Sequence, residues 1–206
     1  MGAEAHQEKT RVTKEAIRRA LAGRQKHAEP VASYVPAAVL VPLFEKGDDY
    51  YLVFTKRTET VSHHKGQYSF PGGRPHPEDR SLRDAALRET WEEIGLPPGD
   101  AEVLGELDDI ATFTTNFLIS PFVATIPYPH QFTANPAEVA EIIEVPLRAL
   151  QDKGNFEEEV VEVGGLEIPQ YYYRYGGRVI YGATARIVKH FLEVIGPPAW
   201  SGGGMS

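Results

Sequence analysis

A chain of 206 residues, 42% hydrophobic and 24% charged, is long enough for one domain with a substantial core. It has no cysteine, which excludes a disulfide framework and thiolate chemistry. A formal net charge of -8 excludes broad binding to nucleic acid, where clustered Lys and Arg must replace phosphate counterions, yet a cation held by acidic groups would admit a small phosphorylated ligand.

The N-terminus mixes His6, Glu8, Lys9, Arg11 and Lys14 without an apolar run, so neither a secretion signal nor a membrane span is expected, and the expected location is cytoplasmic. From Thr13 to Arg24, alanines with Ile17 and Leu21 recur at helical spacing, with Thr13 as cap. "AAVLVPLFE" (Ala37 to Glu45) and "YYLVFTKR" (Tyr50 to Arg57) read as strands around the turn residues Gly47, Asp48 and Asp49. A polar, basic stretch from Thr58 to Gln67 leads into "YSFPGG" and then "GGRPHPEDRSLRDAALRETWEEIGL", Gly72 to Leu96. Ser81 opens a helix there, Gly95 suits its left-handed end, and Pro97 and Pro98 prevent continuation.

"EVLGELDD" and "FLISPFVATIP" are expected strands joined by the loop "TFTTN", and "NPAEVAEIIEVPL" (Asn135 to Leu147) is expected to include one helical turn. "EEVVEVGGLEIPQYYYRYGGRVIYG" alternates β-favouring residues with two Gly-Gly turns, as hairpins do. A final helix runs from Ala183 to Ile195, with Ile187, Val188, Phe191, Leu192 and Ile195 on one face. The chain ends in "SGGGMS", which has the composition of a flexible tail. No repeat or long linker divides it.

In the Ser81–Gly95 helix, Glu89, Glu92 and Glu93 fall within one arc of roughly 100°, continued toward the N-terminus by Ala85, Ala86 and Leu82. Leu87, Trp91 and Ile94 form a separate apolar stripe about half a turn away, which predicts that Trp91 faces the core and the acids face outward. Taken alone, three glutamates read better as a solvated helix face, because charge runs are usually that. Like charges at these spacings each cost a few tenths of a kcal/mol, and the helix dipole disfavours anions in the last turn. A divalent cation with oxygen ligands would relieve both penalties.

Gly73, Arg88, Glu89, Glu92, Glu93, Gly95 and Leu96 together resemble the signature of the Nudix hydrolases, which split diphosphate linkages in nucleoside-diphosphate derivatives. Two departures stand out. Thr90 takes a position usually aliphatic, and one extra residue between Gly73 and Arg88 places the first acidic position on Asp79 or Glu78. The longer spacing, with "VFTKR", "KGQYSFPGG", "LGELDD" and "YRYGGRVIYGATARIV", resembles the coenzyme A pyrophosphatase branch, although Ser62 stands where that branch often has arginine.

The resemblance implies an α/β Nudix-type α/β/α sandwich with a mixed β-sheet over residues 34–196, an N-terminal helical extension over 1–33 and a tail over 197–206. It implies Gly73, Glu89, Glu92 and Glu93 as ligands for Mg2+ or Mn2+, one of Glu92 and Glu93 also helping to deprotonate water, and Arg88 as their orienting partner. Glu138 is the candidate general base and Glu141 the second. Arg57, Lys65 and Arg74, with His63 and His64, either contact substrate phosphates or form a basic surface loop. Tyr171, Tyr172 and Tyr173 either stack on an adenine or, as is usual in strands, pack alternately.

The expected partner is a small nucleotide substrate rather than nucleic acid or a membrane, with a homodimer left open as the assembly. The expected reaction is hydrolysis of coenzyme A or an acyl-CoA. Its rivals are hydrolysis of ADP-ribose, dinucleotide cofactors or dinucleoside polyphosphates, and a nucleotide-sensing module without turnover.

Overall fold

The computed structural model describes residues 12–27, 33–58, 66–112, 115–163 and 165–196. Thr13 caps α1 (Lys14–Ala22) by accepting the Ala16 N–H at 3.2 Å. There follow β1 (Val35–Lys46), β2 (Asp49–Arg57), β3 (Tyr68–Ser69), β4 (Gly72–Gly73) and α2 (Leu82–Ile94). Next come β5 (Glu102–Glu106), β6 (Ile110–Ala111), β7 (Phe117–Thr125), β8 (Val139–Pro146) and α3 (Leu147–Gln151). The chain then forms β9 (Phe156–Val163), β10 (Leu166–Tyr175), β11 (Arg178–Tyr181) and α4 (Gly182–Ile195).

Strands β1 to β8 make one mixed sheet, in which β1 runs antiparallel to β2 and β4 but parallel to β7. The near-continuous apolar run of β1 reflects burial on both faces. Ala38, Leu40 and Phe44 pack against Ala85, Ala86 and Ile94 of α2. The alternate residues Val41 and Leu43 join a second core with Ile17 and Leu21 of α1 and Ile187, Val188 and Phe191 of α4. Helices thus cover both faces of a mixed sheet, the α/β/α arrangement expected. Strands β9, β10 and β11 form the expected antiparallel hairpins as a separate small sheet. Tyr173 and Ile180 of that sheet enter the α4-side core. Among the described residues no helix is long and apolar enough to cross a membrane.

One local expectation is corrected. Trp91 is 55% exposed, whereas Glu93 is only 5% exposed, so Trp91 faces outward and Glu93 inward, while Glu92 stays exposed and Ile94 is buried as expected. Packing volume explains the reversal: Ala85 and Ala86, both fully buried, let the helix lie close on β1, whose small Ala38 meets them, and Trp91 cannot share that seam. In the Asn135 segment, residues 136–138 form one turn, closed by the Val139 N–H on the Asn135 carbonyl at 2.8 Å, and β8 follows.

Candidate active site

Strand β4 is a two-residue strand of glycines, and its brevity brings the backbone beside the acids of α2. Gly72 has φ +147°, and a Cβ there would stand 2.3 Å from the Ala38 carbonyl oxygen, so only glycine fits. Its N–H donates to Glu93 Oε2 at 3.3 Å. A Cβ on Gly73 would lie 2.5 Å from Glu89 Oε2, which shows how closely this backbone approaches that carboxylate.

Helix α2 is positioned by the Ser81 hydroxyl, which accepts the Asp84 N–H at 3.1 Å, and ends at Gly95 with φ +72°. Thr90, at a usually aliphatic position, is buried and donates its hydroxyl to the Ala86 carbonyl at 2.6 Å. That bond satisfies the polar group inside the core.

Arg88 is the hub of the acid cluster. Its Nη1 donates to Glu89 Oε1 at 2.8 Å and to Glu92 Oε2 at 2.9 Å, and its Nη2 to Asp79 Oδ2 at 3.0 Å and the Arg74 carbonyl at 3.1 Å. This network gives Asp79 its place. The Arg88 guanidinium holds the Asp79 carboxyl below the usual range, with the His76 N–H also donating to it at 2.6 Å. Glu78 is 90% exposed at its side chain and stands outside the network.

Burial pushes Glu93 up to about 8, against the Arg57 charge and the Gly72 N–H, and the charges of Glu138 and Glu89 push the same way. Glu89 is likewise raised by burial, opposed by Arg88 and reinforced by Glu92 and Glu138. Glu89, Glu92, Glu93 and Glu138 are therefore one electrostatic group, although Glu138 comes from the turn before β8. Its backbone is fixed there by the Thr58 N–H at 3.0 Å, and its Oε1 accepts from Asn135 Nδ2 at 3.2 Å.

Glu141, the second base candidate, is committed elsewhere: it pairs with Arg178 and accepts the Tyr68 hydroxyl at 2.8 Å. The Arg57 charge acts on Glu93, and Arg74 lays its guanidinium 4.9 Å over the Phe117 ring. Lys65, His63, His64 and Ser62 lie outside the described residues. Of the three tyrosines, Tyr173 packs into the core, while Tyr171 and Tyr172 line a cavity.

That cavity has a volume of about 1110 Å³ and opens on Gly72, Gly73 and Arg74. Among the described residues, its lining includes Arg57, Arg74, Arg174 and Arg186 and no Asp or Glu. Arg174 and Arg186 lie on β10 and α4 within the segment "YRYGGRVIYGATARIV", which carries the resemblance to the coenzyme A pyrophosphatase branch, but nothing in that segment singles out these two arginines as cavity residues.

No three His, Asp or Glu groups among the described residues stand gathered at metal-ligand spacing. Arg88 draws Glu89 and Glu92 to itself, and Gly72 holds Glu93. The donor set nevertheless fits a hard divalent cation: every donor is oxygen, the charges repel one another, and glycine 73 leaves room at Glu89 where any side chain would intrude. Arg88→Ala is expected to weaken Mn2+ binding about 10- to 100-fold by calorimetry, since the partners that orient ligands carry effects of that size. Arg88→Lys should recover little, because an ammonium lacks the planar fork. Unchanged affinity in both variants would mean that the carboxylates need no such bracing.

The NUDIX domain family matches residues 34–162. An uncharacterized Nudix hydrolase, NudL, of Photorhabdus laumondii is 35% identical over 159 residues, covering 77% of this chain and 84% of its own. A NudL of Yersinia pestis is 31% identical over 159 residues, covering 77% of this chain and 79% of its own. In a crystal structure, a MutT/nudix family protein from Enterococcus faecalis has the same fold, with a TM-score of 0.56 at 15% identity over 89% of this chain and 74% of that one.

Proposed function

The chain belongs to the Nudix family and is a pyrophosphohydrolase, and from that premise we propose that its substrate is coenzyme A or an acyl-CoA. The products would be a phosphopantetheine and adenosine 3′,5′-bisphosphate. The observation that carries this reading is the cavity at Gly72 and Gly73. Its volume of about 1110 Å³ exceeds the usual range for small ligands, and it joins an arginine-bearing wall to apolar side chains such as Ile168, Val179 and Ile187. A substrate with several phosphates and a long uncharged arm matches both walls. The segments "KGQYSFPGG" and "YRYGGRVIYGATARIV", which resemble the coenzyme A pyrophosphatase branch, lend independent support.

Glu89, Glu92, Glu93 and the Gly73 carbonyl would hold Mg2+ or Mn2+, the family's typical cofactor type, which supplies Lewis-acid polarisation and makes water easier to deprotonate. The protein's own groups do the rest. Arg88 and Gly72 restrain the carboxylates before substrate arrives. Glu138 takes a proton from the attacking water, whose oxygen bonds to phosphorus as the bridging oxygen leaves with the other phosphate. Arg57 and Arg74, on the cavity wall, balance the diphosphate charge.

A substrate panel with product masses tests the assignment: coenzyme A, ADP-ribose, NADH and a dinucleoside polyphosphate, each with Mg2+ or Mn2+. Coenzyme A is expected to have the highest kcat/KM. Cleavage of ADP-ribose with coenzyme A left intact would refute the substrate, and tight nucleotide binding without any cleavage would favour the sensor.

A further inference from the structure

Residues of both signs are common in this chain, 29 acidic and 21 basic, so a cavity wall with four arginines and no described carboxylate is a selected environment. Two of the four answer to carboxylate charges: that of Arg57 acts on Glu93, and Arg174 pairs with Glu157 at 2.6 Å.

The other two are anchored on neighbouring strand ends. Arg74 lies over the Phe117 ring, and Arg186 Nη1 donates to the Ala111 carbonyl at 2.6 Å. Phe117 and Ala111 are neighbours across the β6–β7 ladder, where Ala111 faces Leu118 and the Thr112 N–H donates to the Phe117 carbonyl at 2.8 Å. One guanidinium thus comes from the catalytic loop and the other from α4, and both are anchored on the same two strand ends. Arg186 is half-buried, and desolvation pulls its pKa down against the Tyr171 phenol. A partly desolvated guanidinium facing a cavity gains most from a dianion it can bind through its fork.

We propose that Arg186 binds a phosphate monoester that the substrate carries apart from the diphosphate at Arg57 and Arg74, making Arg186 a specificity residue for 3′-phosphorylated nucleotides. The inference rests on the coenzyme A reading, which supplies such a group. Arg186 also lies beyond residues 34–162, the part that matches the family as a whole, as suits a residue that distinguishes substrates rather than performing the shared chemistry.

The test compares coenzyme A with dephospho-coenzyme A, which differs only by the 3′-phosphate. The wild-type enzyme should favour coenzyme A, and in Arg186→Ala the ratio of the two kcat/KM values should fall on the order of 10- to 100-fold, the range for a charged hydrogen bond lost. An unchanged ratio overturns the proposal, as does a wild-type ratio near one, which would still leave coenzyme A as a substrate. If Arg186→Ala loses both substrates, Arg186→Gln, which keeps a donor for the Ala111 carbonyl, decides, and equal losses there overturn it. If neither substrate is cleaved while another diphosphate is, the coenzyme A reading has failed. The site is then judged by whether Arg186→Ala selectively weakens binding of adenosine 3′,5′-bisphosphate relative to AMP.

Discussion

Replacing Glu93 by Gln is expected to lower kcat about 10²- to 10⁴-fold while the protein stays folded, the range for loss of a group that moves protons or stabilises charge in the transition state. Glu93 is 5% exposed, at the end of α2 against the Gly72 N–H. The amide keeps the shape and an oxygen to accept that N–H, so the helix and β4 should stay in place. It also removes the desolvation penalty of a buried carboxylate, and the thermal midpoint should therefore hold or rise. What the amide cannot supply is the negative charge for a cation. Turnover assays over a Mn2+ titration, alongside thermal melts, separate the two effects. Near-normal kcat in a folded Glu93→Gln protein would remove the proposed chemistry.

Glu138→Gln should be as damaging to kcat, about 10²- to 10⁴-fold, but through a different step. Its carboxylate is exposed and lies on the turn before β8, outside the Arg88 network, yet its charge reaches both Glu89 and Glu93. A group so placed is near the site, as a base for water must be. KM and the Mn2+ midpoint should hardly move, because Glu138 is assigned neither to the substrate nor to the metal. A loss of metal affinity in Glu138→Gln would make it a ligand instead, and a change in kcat under threefold would place the base elsewhere.

Much of this site is legible along the chain. Ser81 and Gly95 announce the ends of α2, and Arg88 with its glutamates identifies the loop and helix that matter. What periodicity could not provide is which face of α2 lies against the sheet. Hydrophobicity favours Trp91 as the buried residue, but the two alanines decide the seam, because close approach of helix to strand depends on small volume rather than apolarity. Asp79 was uncertain for another reason: its role is set by a partner nine positions away, and the intervening turn determines whether the two meet. Glu141 and Glu138 look alike in sequence, and only the fold assigns one to Arg178 and leaves the other acting on the acids of α2. Arg174 and Arg186 are the extreme case, brought to the loop at Gly73 by topology alone.

The acids of α2 and the β4 loop are proposed to hydrolyse a coenzyme A diphosphate with help from a divalent cation. Product mass after incubating coenzyme A with the protein in 18O-labelled water, with Mg2+ or with a chelator, tests this. The expected result is phosphopantetheine and adenosine 3′,5′-bisphosphate with one 18O in only one of them, and no cleavage under chelation. Intact coenzyme A in the presence of Mg2+ and Mn2+, or cleavage indifferent to the chelator, would contradict it.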